Sequence, residues 1–154
     1  FHCMGVSAVG LSEEKYSKIT VDYTKILVDL VYSLNPNAVF NYVSGEGTDS
    51  FEKGSTMWAR VKGKAENYML NKGFKDSYAF RPGAIIPEKG VKSKTQLYNV
   101  FYVLSKPFHF LIKKMKSVTT SSNLGLAMIN SIDFPQENKH LENPEITELA
   151  EKGV

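Results

Sequence analysis

Trp58 and Lys62 stand four residues apart in the segment MWARVK, a spacing that sets both side chains on one face of a helix. Upstream, the run Ala38–Ser44 is dense in β-forming residues and ends on a hydroxyl. A loop of small and polar residues follows and carries Thr48. A hydroxyl at a strand end, followed by aromatic-x-x-x-Lys on the next helix, is an active-site layout. The lysine brings a compact cationic donor suited to ligand hydroxyls. The indole N–H of Trp58 only donates and does not exchange its proton near neutral pH. General acid–base catalysis from position 58 is therefore not expected.

Three more candidates lie where strands should end. Ser7 closes a small, apolar run, residues 1–7. Arg81-Pro82-Gly83 closes another, Ser77–Arg81. Glycine there would let the backbone approach a ligand closely.

The elements that must position these groups follow from periodicity. Ser12 is placed to cap a helix, with Glu13 and Glu14 in its first turn. Tyr16, Ile19, Tyr23, Ile26, Leu27, Leu30, Val31 and Leu34 recur at helical spacing, and Asn35-Pro36-Asn37 ends the run. A second helix is expected from Thr56 to Asn71, with Met57, Val61, Ala65, Tyr68 and Met69 inward and Gly73 beyond its end. The first 83 residues thus read strand, helix, strand, helix, strand. That alternation predicts βαβ units and a parallel sheet, with ligands beyond the carboxyl ends of its strands.

Beyond Gly90 a helix interrupted at Pro107 is expected over Ser93–Met115. Val118-Thr119-Thr120 then leads into a helix over Ser122–Asn130, with Leu124, Ala127 and Met128 on one side. The tail is polar, and Asn143-Pro144-Glu145 marks a last helix start.

YVSGEGTD, WARVKGKAE and FRPG, in this order and spacing, resemble the C-terminal part of a short-chain dehydrogenase/reductase of the atypical, nucleotide-sugar-epimerase-like kind. The resemblance covers roughly residues 1–130. It implies an α/β fold, a partial Rossmann-type doubly wound parallel sheet over residues 1–90, with a helical C-terminal region over 91–154 packed on it. It implies NAD or NADP as cofactor, and a carbonyl, alcohol or nucleotide-sugar-like substrate.

In that family a tyrosine moves a proton at the substrate oxygen, and a lysine one turn later holds the ribose hydroxyls. Lys62 matches the lysine, and Trp58 stands where the tyrosine would be. The family's catalytic hydroxyl falls at Gly45, with Ser44 adjacent and Thr48 able to supply a hydroxyl from the loop. Arg81, Pro82 and Gly83 match the turn that passes the nicotinamide, and Ser7 ends the first strand. The glycine-rich phosphate loop of the family is absent. Gly45-Glu46-Gly47 follows the wrong strand and lacks the third glycine. A non-catalytic nucleotide-binding or sensor module is the competing reading, and Trp58 favours it.

Composition bounds the rest. The 154 residues suit one domain with a sizeable core. A net charge of +3 argues against nucleic acid as partner. The lone Cys3 excludes an internal disulfide framework and suits a reducing, cytoplasmic setting. His2, His109 and His140 have no metal-ligand spacing. The opening FHCMGVSAVG lacks a basic n-region and does not read as a signal peptide. The chain also lacks a starting Met and reads as a fragment beginning inside a strand. Lys113, Lys114 and Lys116 follow the aromatic, apolar stretch Tyr98–Ile112. That pattern suits a membrane-surface helix, or more commonly a segment packed on a substrate lobe or on another subunit of a homo-oligomer.

Overall fold

The computed structural model describes residues 1–88 and 117–153. The helix expected over Ser93–Met115, with His109 and the basic stretch to Lys116, lies outside them. The chain forms two compact units: residues 1–81 with 135–141, and residues 82–134 with 142–154.

In the first unit, α1 (Glu13–Ser17) starts as its cap residue dictates, with the Ser12 hydroxyl accepting from the Lys15 amide at 3.4 Å. A π-helical turn, Lys18–Asp22, leads without a break into α2 (Tyr23–Leu34). Within it the Thr24 hydroxyl donates to the Thr20 carbonyl at 2.7 Å, a back-bond that bends helices. Then come β1 (Val39–Val43), α3 (Met57–Leu70) and β2 (Asp76–Phe80). Gly73, at φ 95°, turns the chain after α3.

β1 and β2 pair in parallel, with Phe40 opposite Ser77 and Tyr42 opposite Ala79. On the far side of β2 lies β5 (His140–Leu141), also parallel, with Ala79 opposite His140. Phe40, Tyr42 and Ala79 face the helices and form one core with Tyr16, Val21, Val28, Val61, Ala65 and Met69. Both crossovers therefore cover the same face of the sheet. Asn41, Tyr78 and Phe80 alternate onto the opposite face and are also fully buried.

Two strand expectations change. Residues 1–7 reduce to a single bridge: His2 pairs with Tyr42, while residues 3–7 are exposed coil. Only His2 is buried there. Its Nε2 lies 2.8 Å from the Thr24 hydroxyl, whose own proton is spent on Thr20, so the ring must donate. Gly5 offers no side chain to pack. In turn β5 arises in a tail whose polar composition gave no strand signal.

The second unit contains β3 (Ala84–Ile86) and β4 (Val118–Thr120), paired in parallel. Val118–Thr120 is thus a strand and not only a lead-in. Helices α4 (Ser121–Asn130) and α5 (Asn143–Glu151) complete the unit. Thr120 caps α4 through the Asn123 amide at 3.1 Å. Leu124, Ala127 and Met128 of α4 are buried, as are Ile146, Leu149 and Ala150 of α5. Asn130 closes the pair by donating to the Leu149 and Ala150 carbonyls at 2.9 and 3.3 Å.

Candidate functional site

The turn after β1 is built from hydroxyls. The Ser44 amide continues the sheet by donating to the Phe80 carbonyl at 2.7 Å. The Ser44 and Thr48 hydroxyls, both in buried residues, lie 3.0 Å apart. Thr48 spends its one proton on the Gly45 carbonyl at 2.8 Å, so Ser44 must donate to Thr48. What Ser44 has left for a ligand is acceptor capacity. Between them Gly47 adopts φ 81°, and a Cβ there would stand 3.6 Å from Cη2 of Trp58. The indole therefore packs over the turn, as one of the partly buried groups around the core.

Helix α3 carries Trp58 and Lys62. At about 100° per residue, Lys62 falls near the middle of the arc formed by Ala59, Val61, Ala65, Glu66 and Met69, all buried. Lys62 is thus a cation on the core-facing side of its helix, partly buried, one turn from the end nearest the β1 turn. No hydrogen bond or ion pair joins its ammonium to another described residue. Burial lowers its pKa, and the Glu66 carboxylate offsets part of that.

One turn further on, Glu66 is completely buried. Arg81, the residue after β2, grips it with two bonds: Nε to Oε1 at 3.1 Å and Nη2 to Oε2 at 2.5 Å. The same Nη2 donates to the Ser50 hydroxyl at 2.6 Å, and the Arg81 amide donates to the Leu141 carbonyl at 2.7 Å. His140 brings Nε2 to 3.5 Å from Glu66 Oε2. Burial first, then the Arg81 charge, pushes the His140 pKa below 6.5, with Glu66 opposing.

The loop over residues 45–55 is held closely to α3. The Asp49 carboxylate accepts from the Phe51, Lys53 and Gly54 amides at 3.0, 2.8 and 2.6 Å. The Gly54 amide leads in holding that carboxyl below its usual range. Asn67 ties down Ser50 and Glu52 at 2.9 and 2.8 Å, and Arg60 reaches the Gly54 carbonyl at 2.6 Å. Gly63 makes the contact possible, since a Cβ there would stand 1.9 Å from the Asp49 carbonyl oxygen.

The fold thus brings Ser44, Thr48 and Trp58 around one turn, with Lys62 one helical turn beyond Trp58. Arg81 joins Glu66 and Ser50, so its guanidinium is already engaged by protein. Ser7 lies in exposed coil, its hydroxyl accepting from the Val9 amide at 3.3 Å. Pro82 and Gly83 belong to the second unit, where the Gly83 amide donates to Asn143 Oδ1 at 3.4 Å.

Sequence reasoning missed Glu66, Ser50, Gly63 and His140. Only the extension W-x-x-x-K-x-x-x-E pointed to Glu66. Among the described residues no group of His, Cys, Asp and Glu is arranged to hold a metal, and no helix is long and apolar enough to cross a membrane. The chain matches no family model and no curated protein sequence.

Proposed function

We propose that this chain is part of an NAD(P)-binding protein of oxidoreductase or epimerase type, with a Rossmann-like sheet, acting on a carbonyl, alcohol or nucleotide-sugar-like substrate. The observation that carries the reading is Lys62: a half-buried ammonium, without a protein partner among the described residues, on the helix that follows β1. An ammonium left without a protein acceptor can donate to a ligand hydroxyl. Ser44 and Thr48 add acceptors at the strand end. This donor–acceptor set fits the ribose of a dinucleotide. A bound nicotinamide would supply or accept a hydride, while the residues named here would bind and orient it.

A second reading keeps the cofactor and drops the turnover. The Ser44 and Thr48 protons are committed within the turn, and Trp58 has none to exchange. A nucleotide-sensing module needs no proton donor.

The test is a titration of NADH and NADPH into the full-length protein, followed by a carbonyl-reduction assay. Lys62→Met should weaken cofactor binding about tenfold, the loss of one charged hydrogen bond. Equal affinity of parent and variant would show that Lys62 holds no cofactor. Binding without turnover would select the sensing module.

A further inference from the structure

β5 is only two residues long, yet it closes the edge of β2. His140 stands opposite Ala79 in that pairing. On either side of it the Lys139 and Leu141 carbonyls accept from the Ala79 and Arg81 amides at 2.8 and 2.7 Å. The imidazole itself sits against the Glu66–Arg81 pair. Its Nε2 is buried, lies 3.5 Å from Glu66 Oε2 and makes no hydrogen bond. Both Glu66 oxygens are already taken, by Arg81 Nε at 3.1 Å and Nη2 at 2.5 Å.

Counting charges shows what a proton on His140 would do. With a neutral ring, one enclosed anion, Glu66, balances one cation, Arg81. A protonated ring sets two cations against that one carboxylate. Glu66 could then serve the imidazolium only by loosening its bonds to Arg81. A charge taken out of water without a partner of its own is costly. Nothing else around His140 offsets that cost. From α3 the charge facing it is Glu66, and from the end of β2 it is Arg81. On its outer side His140 shares a groove with Lys75, Asp76, Glu137 and Lys139. Asp76 and Lys139 are paired with each other at 2.8 Å, and Lys75 and Glu137 bring one charge of each sign. The groove thus offers an imidazolium no net attraction. The His140 side chain keeps 31% of its surface exposed, so protons reach the ring while the sheet is closed.

We infer that His140 is an acid-sensitive latch on the sheet: while its ring is neutral, residues 139–141 stay on β2, and protonation releases them. The latch depends on no ligand, so it stands apart from the dinucleotide reading. Burial and the Arg81 charge both push the His140 pKa below 6.5, and Glu66 opposes them only in part, as the charge count requires. The closed sheet therefore holds its full stability above pH 6.5 and loses it as pH falls from there towards the lower, folded-state value. That window lies where histidine alone among ordinary side chains changes charge. An open latch would leave the Ala79 and Arg81 amides bare, as an edge that another strand can pair with.

The experiment uses the full-length protein between about pH 7.5 and 5, with two NMR readouts, the titration of the His140 ring and the exchange protection of the Ala79, Arg81 and Ser44 amides. His140 should titrate below 6.5. Protection at Ala79 and Arg81 should fall on acidification, by about tenfold for each pH unit of that depression. The Ser44 amide, bonded within the β1–β2 pair, should keep its protection. His140→Gln retains a polar side chain and removes the proton site, so its Ala79 and Arg81 protection should no longer change with pH. Where that variant holds β5 too weakly to be read, the titration and protection of the parent decide. A His140 titration at or above 6.5 overturns the inference, because Glu66 would then be holding an imidazolium in place. It is equally overturned by protection that ignores pH in the parent, by the same fall in His140→Gln, or by an equal fall at Ser44.

Discussion

The Lys62 ammonium stands on the core-facing side of its helix, with no hydrogen-bond or ion-pair partner among the described residues, and burial works against its charge. Burial lowers the pKa of Lys62 below the ordinary 10.5. The fold therefore disfavours the protonated form. That penalty is complete below the folded-state pKa and disappears as pH rises through it towards 10.5. Lys62→Met keeps the stem and removes the charge. It should raise Tm at pH 7 by about 2–4 °C, the equivalent of about 1 kcal/mol recovered. The gap between parent and variant should narrow in melts as the pH is raised towards 10.5. A residue whose loss stabilises the fold is a common sign of a site tuned for function. Trp58 and Lys62 were visible in the sequence because helical spacing is local. Glu66 was not, since a glutamate on an amphipathic helix looks like its solvated face. Its partner Arg81 is fifteen residues away and meets it only in the folded sheet.

The elements obey the same division between local and distant causes. The helices were legible because Ser12, Asn35-Pro36-Asn37 and Gly73 punctuate them and apolar residues recur between. β1 and β2 were legible as apolar runs between turns. The short strands β4 and β5 were not, because two or three residues carry no periodicity of their own. The π-helical turn at Lys18–Asp22 was equally silent. The loop over residues 45–55 is rich in Gly, Asp and Ser, yet the Asp49, Asn67 and Arg60 side chains bond its backbone at residues 50, 51, 53 and 54. Gly63 is where that loop touches α3. Gly63→Ala would place a methyl carbon 1.9 Å from the Asp49 carbonyl, a backbone group with nowhere to retreat. Urea denaturation should show a loss of about 3 kcal/mol. A cost below about 1 kcal/mol would mean the loop can lift from the helix freely.

At the scale of the whole molecule, the chain leaves its first unit after Arg81 and returns for residues 135–141. The Ala79 and Arg81 amides of that unit donate to the Lys139 and Leu141 carbonyls at 2.8 and 2.7 Å. Lys139 adds an ion pair to Asp76 at 2.8 Å, and Tyr78 both bonds Asp76 and accepts from the Gln136 amide at 2.9 Å. Truncation after Phe134 would leave residues 1–81 intact in sequence and still loosen them. Hydrogen exchange at the Ala79 and Arg81 amides should accelerate by at least tenfold, while the Ser44 amide, which bonds within the β1–β2 pair, should change less. Uniform protection at all three would show that the returning segment closes nothing.

The same return has a meaning in time. A ribosome adds about 5–20 residues per second. The sixty or so positions between Arg81 and Leu141 therefore keep β2 waiting for roughly 3–12 s, with its outer edge bare. An unpaired strand edge is a template for other chains. Until residues 139–141 arrive, the Ala79 and Arg81 amides lack the Lys139 and Leu141 carbonyls to which they donate in the folded chain.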